Sequence, residues 1–486
     1  MSRPVLLPQP RSVIENDGSF TIGEGTRIVT DRPELGDYLA SVLREVLDCE
    51  LPVSTGAAAE GDIVIEINAS IDDLEAGTVE AYRLTVDRRS IIIDAPADAG
   101  LAAGIQTLRQ LLPADAGSAV PDRTRAEISA VQILDWPRFA YRGVMLDISR
   151  HFFGVDTIMR LIDQAAALKL NYLHLHLTDD QGWRIEIPGW PELTRSGADS
   201  QVGGGPGGFL TTADYEQIVH YAASRFITVV PEIDMPGHTN AALVAYPELA
   251  PAGVTPEPYH GTEVGFSTFD TRSEAVYEFI GDVIGHLASI TPGPYIHIGG
   301  DESHSTTLED YRPFIARVTR MVTAQGKLPI GWHEIGASDD LAEGTIGQYW
   351  GTRIPENDEG ERASSVARQG GQLILSPADA IYLDMMPEAD FRIGLDWAKG
   401  PTPLADVTDW DPATLISGVD ESVVLGVEAP LWTETVETED DIDTLLFPRL
   451  LAVADLAWAD AVSDVESRVH ALLPRLAAAS IQYGPA

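Results

Sequence analysis

Tyr295-Ile296-His297-Ile298-Gly299-Gly300-Asp301-Glu302 reads as a short apolar strand ending in a glycine turn that carries two adjacent carboxylates. Neighbouring side chains of a strand point to opposite faces, so both acids reach one pocket only because the glycine pair lets the backbone turn. The same order, apolar strand and then polar end, recurs from Phe139 onward. The candidate strands are Gly143–Ser149, Tyr172–Thr178, Phe226–Ile233, Tyr295–Ile298, Leu328–Trp332, Thr345–Trp350, Gln372–Leu375 and Val424–Trp432. Amphipathic helices separate several of them. Asp156 is expected to cap one that carries Ile158, Leu161, Ile162, Ala165 and Leu168, and Thr211 or Thr212 one that carries Tyr215, Ile218, Val219 and Ala222. Eight strands with intervening helices point to a (β/α)8 barrel. A doubly wound sheet is the alternative, but no glycine-rich dinucleotide loop follows a strand. Gly203-Gly204-Gly205-Pro206-Gly207-Gly208 interrupts a strand-to-helix connection and is not a phosphate cradle.

Upstream of the barrel, residues 1–135 read as a small α+β domain, leaving 136–486 to the barrel. Pro33–Leu47 has helical spacing, Asp62–Ile67 is strand-like, and Tyr82–Val86 with Ser90–Ile93 forms a hairpin around Asp87-Arg88-Arg89. Ala99–Leu112 is a helix of small residues. No convergent chemistry marks this domain, and its expected role is structural.

The 486 residues include 75 acidic against 32 basic side chains, a net charge of -43, and lysine is confined to Lys169, Lys327 and Lys399. Such a surface repels nucleic acid and anionic lipid and suits a neutral or cationic small-molecule substrate. A solubility trait of a salt-tolerant or lysine-poor proteome explains it equally well. Cys49 is the single cysteine, which excludes an internal disulfide and a thiolate metal cluster. No apolar run reaches the roughly 18–20 residues a bilayer requires. Met1–Pro8 lacks a signal core, so the chain reads as soluble and cytoplasmic, or secreted if a leader has been removed. Oligomeric state is not legible, and a homodimer stays open.

In a barrel of this kind chemistry sits at the C-terminal ends of the strands. Those ends carry Arg150, Asp179 and Asp180, Glu232 with Asp234 and His238, Asp301 and Glu302, Trp332, Trp350, Tyr382 and Asp384, and Trp432 with Glu434. Trp332, Trp350 and Trp432 offer apolar faces to sugar rings and small methyl groups. Arg150, Asp384 and Glu434 offer the forked donors and acceptors that hydroxyls need. Two carboxyls held as closely as Asp301 and Glu302 cannot ionise independently, so one keeps its proton near neutral pH. A general acid beside a fixed negative charge is the equipment of glycoside hydrolysis. Two solvated acids at a strand end are the bland alternative. A metal-dependent hydrolase is a second one, because His174 and His176 share a strand face near Asp179, His238, His297 and His304. A sugar-binding protein without catalysis is a third, against which the intact Asp301, Glu302 and Tyr382 weigh.

RGVMLDISRHFF (142–153), NYLHLHLTDDQGWRIEI (171–187), VVPEIDMPGHTNAAL (229–243), HIGGDE (297–302), GWHEI (331–335), QYW (348–350), IYLDM (381–385) and GVEAPLWTE (426–434) resemble, in order, the β-N-acetylhexosaminidases of glycoside hydrolase family 20. The resemblance runs from about Phe139 to Trp458, and the N-terminal portion is similar to the small α/β domain that often precedes the barrel in that family. The family's Gly-Trp-Asp-Glu reads Gly331-Trp332-His333-Glu334 here. The resemblance implies exo-acting, retaining, substrate-assisted removal of terminal GlcNAc or GalNAc, without cofactor or metal. It implies Glu302 as acid and base, Asp301 as the partner of the acetamido N–H, and Tyr382 as donor to the acetamido oxygen, with Trp332, Trp350 and Trp432 around the methyl group. It further places Arg150 and Glu434 on the 3- and 4-hydroxyls and Asp384 near O4 and O6. Asp179 with His238 would support the catalytic carboxylates, and Trp397 would wall the leaving group.

Overall fold

Strand alternation organises both halves of the computed structural model, which describes residues 4–68, 78–113, 123–460 and 463–486. The N-terminal half contains β1 (Ser12–Ile22), β2 (Ile28–Thr30), β3 (Val53–Ser54), β4 (Ile63–Ile67), β5 (Tyr82–Val86), β6 (Ile91–Ala95) and β7 (Ala126–Asp135). They form one sheet in the order β1-β7-β5-β6-β4-β2-β3. The expected hairpin is β5 antiparallel to β6, with Leu84 opposite Ile93. Helices Pro33–Arg44 and Asp98–Leu111 pack on this sheet and on each other. Leu35, Leu39, Leu43, Leu101, Ile105 and Leu108 fall at helical spacing and enter its core.

The second half is the barrel that the strand rhythm predicts. Its strands are β8 (Tyr141–Asp147), β9 (Tyr172–His176), β10 (Thr228–Glu232), β11 (Tyr295–His297), β12 (Leu328–Trp332), β13 (Ile346–Tyr349), β14 (Gln372–Leu375) and β15 (Val424–Leu431). All pair in parallel, and β8 closes the ring between β15 and β9. The helix after β8 spans Val155–Ala167 and has Gly154, not Asp156, at its cap position; Asp156 sits in the first turn, where its charge favours the helix dipole. Thr211 caps Thr212–Ala223 as expected, in a reciprocal box with Asp214. No described helix is long and apolar enough to cross a membrane.

Alternation sorts each barrel strand into an outer face against the helices and an inner face along the axis. Leu173 and Leu175 of β9 join the outer core, while His174 and His176 turn inward. The interior is layered. Tyr141, Val230, Ile330, Ile346 and Ile374, with Tyr172 and Tyr295, form an apolar cluster toward the strand starts. Nearer the strand ends comes a polar layer of His174, Glu232, His297, Gln348 and Glu428, and then a cluster of Met145, Trp332, Tyr382 and Trp432.

Asp135, at the end of β7, ties the halves together. Its buried carboxylate accepts from Tyr82 Oη at 2.8 Å, Lys169 Nζ at 3.0 Å and Trp458 Nε1 at 3.0 Å. Trp458 ends a barrel helix yet packs into the N-terminal core, and the Lys169 ammonium lies 4.6 Å from its ring centre. Asp135→Ala would strand a buried ammonium, so a loss of about 3–5 kcal/mol is expected. Thermal unfolding should show a clearly lowered Tm, and an unchanged Tm would refute the tie.

Candidate active site

After β11 the backbone takes the turn anticipated by the glycine pair, with φ of 65° at Gly299 and 100° at Gly300. A Cβ on Gly299 would overlap the Asp234 side chain, so glycine is required there for space as well as conformation. Gly300 N–H donates to Asp234 Oδ1 at 3.2 Å, and the buried Tyr311 hydroxyl donates to the Gly300 carbonyl at 2.5 Å. Glu302 itself has φ 43°, a left-handed conformation a non-glycine residue adopts only when its surroundings impose it. The result turns both acids to one imidazole. His238 Nε2 lies 3.4 Å from Glu302 Oε2 and 3.7 Å from Asp301 Oδ2.

His238 is held from behind by Asp179, which follows β9. Asp179 Oδ1 accepts from His238 Nδ1 at 3.1 Å and from the Asp180 amide at 2.6 Å. Its Oδ2 meets Arg150 Nη1 at 2.7 Å and His176 Nε2 at 2.8 Å. Burial opposes the Asp179 charge, but Arg150, His238 and His176 outweigh it and hold the carboxyl well below the usual range. Burial likewise opposes charge on His238, but Asp179, Asp301 and Asp234 raise it well above the usual imidazole value. An imidazolium therefore faces the acid pair. Burial lifts the Asp301 carboxyl to about 7 against the pull of His238, with Glu334 and Glu302 adding to the rise. The raised carboxyl is thus Asp301, and burial, more than repulsion from its neighbour Glu302, holds it near neutrality.

Aromatic walls stand beside these acids. Trp332 and Trp432 approach at 5.8 Å between ring centres, Trp432 and Tyr382 at 6.3 Å, and Tyr382 and Trp397 at 5.9 Å. Trp350 meets Trp397 edge-on at 6.0 Å. Trp397 is 51% exposed and forms the rim, where its neighbour Lys399 pairs with Glu356 at 2.5 Å. Each of two indoles is pinned by a glutamate: Trp332 Nε1 donates to Glu232 and Trp350 Nε1 to Glu334, both at 2.9 Å. The His333 ring lies 5.5 Å from both Tyr349 and Trp350, and burial lowers its pKa to about 3, so it acts as a neutral spacer.

Arg150, Asp384 and Glu434 complete the lining. The Arg150 guanidinium lies 4.8 Å from the Trp432 ring centre. Burial raises the Asp384 carboxyl well above the usual range, reinforced by Glu434. Both Asp384 oxygens, Glu434 Oε2, Asp301 Oδ1 and Arg150 Nε are buried without a well-formed protein hydrogen bond. Native interiors rarely leave such groups alone, and a ligand rich in hydroxyl and amide groups would satisfy them.

All twelve residues singled out for catalysis or substrate thus lie along this acid pair, its imidazole support and the connected aromatic walls. The histidines considered for a metal divide differently. His174, Glu232 and His297 offer ligand atoms within 4.8 Å of one another, as do His176, Glu232 and Asp234, and His238 does so both with Asp179 and Asp234 and with Asp301 and Glu302, whereas His304 is exposed and joins none of these groups. Carboxylate pairing already accounts for His174 and His176, each of which lies within hydrogen-bond reach of an acid on both sides. Two contributors were missed by sequence reasoning. Glu334 was legible only as a neighbour of Trp332, and Glu232 only as one more acid at a strand end.

Comparison with known proteins gives a consistent picture. The model of "Glycosyl hydrolase family 20, catalytic domain" matches residues 139–461, and that of "Glycosyl hydrolase family 20, domain 2" matches residues 3–136. A β-N-acetylhexosaminidase of Cellulomonas fimi is 42% identical over 460 residues, covering 93% of this chain and 89% of its own. The Streptomyces plicatus N-acetyl-β-hexosaminidase in complex with Thio-NAglucal superimposes with a TM-score of 0.93 at 45% identity, over 99% of this chain and 96% of its own. A mutant of that enzyme in complex with product GlcNAc gives 0.94 at 44% identity, over 99% and 97%.

The raised Asp301 carboxyl is open to direct measurement. Isotope-edited infrared titration of labelled aspartate should show a carboxyl with a midpoint of about 7 that disappears in Asp301→Asn. A titration unchanged by that substitution would refute the assignment.

Proposed function

The chain belongs to glycoside hydrolase family 20 and is a glycoside hydrolase, and on that premise we propose that it removes terminal non-reducing GlcNAc or GalNAc by a retaining, substrate-assisted route. The observation that carries this reading is the convergence of Asp301 and Glu302 on the His238 imidazole beside the aromatic walls. With a glycoside bound, its 2-acetamido oxygen attacks C1 as the C1–O bond to the leaving group breaks. Glu302 delivers its proton to the departing oxygen, and an oxazolinium forms. Asp301, as carboxylate, accepts the acetamido N–H and balances the charge that grows there. Tyr382 donates to the acetamido oxygen; burial and Asp384 keep its phenol protonated at any working pH. Water then attacks C1 from the face the leaving group vacated, and Glu302 recovers its proton from that water. The β configuration is retained.

Trp332, Trp350 and Trp432 would enclose the acetamido methyl, while Arg150, Asp384 and Glu434 take ring hydroxyls with the buried polar atoms that lack protein partners. Those hydroxyl contacts close the pocket around one terminal sugar and support exo action. The GlcNAc bound as product to the Streptomyces plicatus mutant supports the same sugar class.

Release of 4-nitrophenol from its β-N-acetylglucosaminide in the presence of EDTA tests the reading, with turnover expected and dependence on an added divalent metal arguing against it. Glu302→Gln should keep product affinity but lose roughly 10²–10⁴-fold in kcat on unactivated disaccharides, the usual contribution of a positioned acid. Near wild-type rates would displace Glu302 from that role. Because Asp301 must be ionised to act, kcat/KM should fall as pH drops through about 7, the free-enzyme value of that carboxyl. The acid limb of kcat should lie lower, since a bound N–H favours the carboxylate. Coincident limbs would argue against that contact.

A further inference from the structure

Glu232, at the end of β10, takes no part in the scheme above, yet it is fully buried beneath the pocket and touches groups from three other strands. Its Oε1 accepts from Trp332 Nε1 at 2.9 Å and lies 2.8 Å from His297 Nδ1. Its Oε2 meets His176 Nδ1 at 2.5 Å and His174 Nε2 at 3.1 Å. Two paths leave this carboxylate toward the chemistry. One is the Trp332 indole itself. The other runs from His176 Nε2 to Asp179 Oδ2 at 2.8 Å, then from Asp179 Oδ1 to His238 Nδ1 at 3.1 Å, and ends at Glu302 and Asp301. Below Glu232 the chain of groups continues through His174 to Glu428, which also holds Tyr141 and Gln348.

Filling space does not account for this layer. Barrel interiors are ordinarily packed with branched aliphatic side chains. A buried carboxylate among imidazoles is no more stable than an apolar replacement and is often less so. The polar layer also sits directly under the groups that would meet the sugar, whereas the layer toward the strand starts is apolar. We infer that Glu232 is a positioning residue of the reaction: it sets the Trp332 wall against the acetamido group and, through His176 and Asp179, sets His238 against the acid Glu302. The inference rests on the hexosaminidase reading and deepens it by coupling the acetamido side of the site to the leaving-group side.

The two paths can be cut separately. In Glu232→Gln the amide oxygen can still accept from Trp332, but its NH2 meets the His176 nitrogen that now donates to the carboxylate. In His176→Asn the shorter amide can still donate to Glu232, leaving Trp332 supported, but it no longer reaches Asp179. Both variants of the full chain would be compared with wild type on 4-nitrophenyl β-N-acetylglucosaminide, whose leaving group needs little protonation, and on N,N'-diacetylchitobiose, whose leaving group needs it fully. GlcNAc inhibition and the pH profile of kcat/KM complete the set, with circular dichroism and Tm recorded as folding controls.

For His176→Asn, kcat on the disaccharide should fall by about ten-fold or more and the aryl glycoside by less than about three-fold, as partial loss of acid assistance requires. At least one limb of the pH profile should move, and GlcNAc affinity should weaken as well, because the His176 ring packs edge-on against Trp432 at 4.8 Å and its Nε2 lies 3.3 Å from Arg150 Nη1. Glu232→Gln should show the same leaving-group dependence together with weakened GlcNAc affinity. Folded variants that lose rate equally on both substrates, with an unmoved pH profile, would overturn the inference. Should Glu232→Gln fail to fold, His176→Asn decides alone. A wild type silent on both glycosides would remove the hexosaminidase reading and the inference with it, whereas an active wild type with indifferent variants overturns the inference only.

Discussion

Charge buried inside a closed barrel has to be matched within the barrel, because water does not reach it and an unpaired ion there costs several kcal/mol. Alternation of carboxylate and imidazole meets that condition here: Glu428, His174, Glu232, His176, Asp179 and His238 follow one another from the middle of the barrel to the acid pair. Burial opposes charge on His174 and His176, but the flanking acids outweigh it, raising His174 to about 9 and His176 well above the usual value. His297 is the exception, since burial lowers it and leaves a neutral ring against Glu232. The matching fixes where each imidazole sits, and the geometry at the strand ends follows from it.

The two ends of the barrel divide the labour. The N-terminal domain is anchored on the barrel through Asp135, Lys169 and Trp458, a satisfied buried cluster whose role is stability. At the opposite end, strain and unsatisfied polarity accumulate. His238 and Glu302 both hold left-handed backbone conformations, and the unpartnered atoms of Arg150, Asp301, Asp384 and Glu434 collect around them. A scaffold secured at one end can carry such costs at the other.

The barrel was legible because its strands are apolar, separated by amphipathic helices and closed by polar ends. The glycine pair before Asp301 was legible for the same kind of reason, since only glycine tolerates the turn and the proximity of Asp234. Cap chemistry was legible where a reciprocal partner stood three residues on, as at Thr211 and Asp214, and misleading at Asp156, which has the right type two residues too late. The parts of the site that escaped are those whose meaning lies across the barrel. Nothing local distinguishes Glu232 from any acid at a strand end, because its partners come from β9, β11 and β12. Glu334 escaped likewise, its bond to Trp350 joining two separate strand ends. His174 and His176 looked like a chelating pair because spacing along one strand is visible, whereas the facing carboxylates on β10 and β15 are not.

The scarcity of lysine acquires a spatial meaning once the fold is known. Lys169 is sealed between the two domains, and the Lys327 ammonium is engaged by the carbonyls of Thr291 and Gly293. Lys399 alone projects from the surface, about half exposed, two residues from the rim indole of Trp397. Amine-directed coupling to a resin or dye, the chain's own α-amino group aside, would therefore converge on the mouth of the pocket and turn the protein face-down on its support. Immobilisation that leaves the mouth open has to use the abundant surface carboxylates instead, or a lysine introduced on the N-terminal domain.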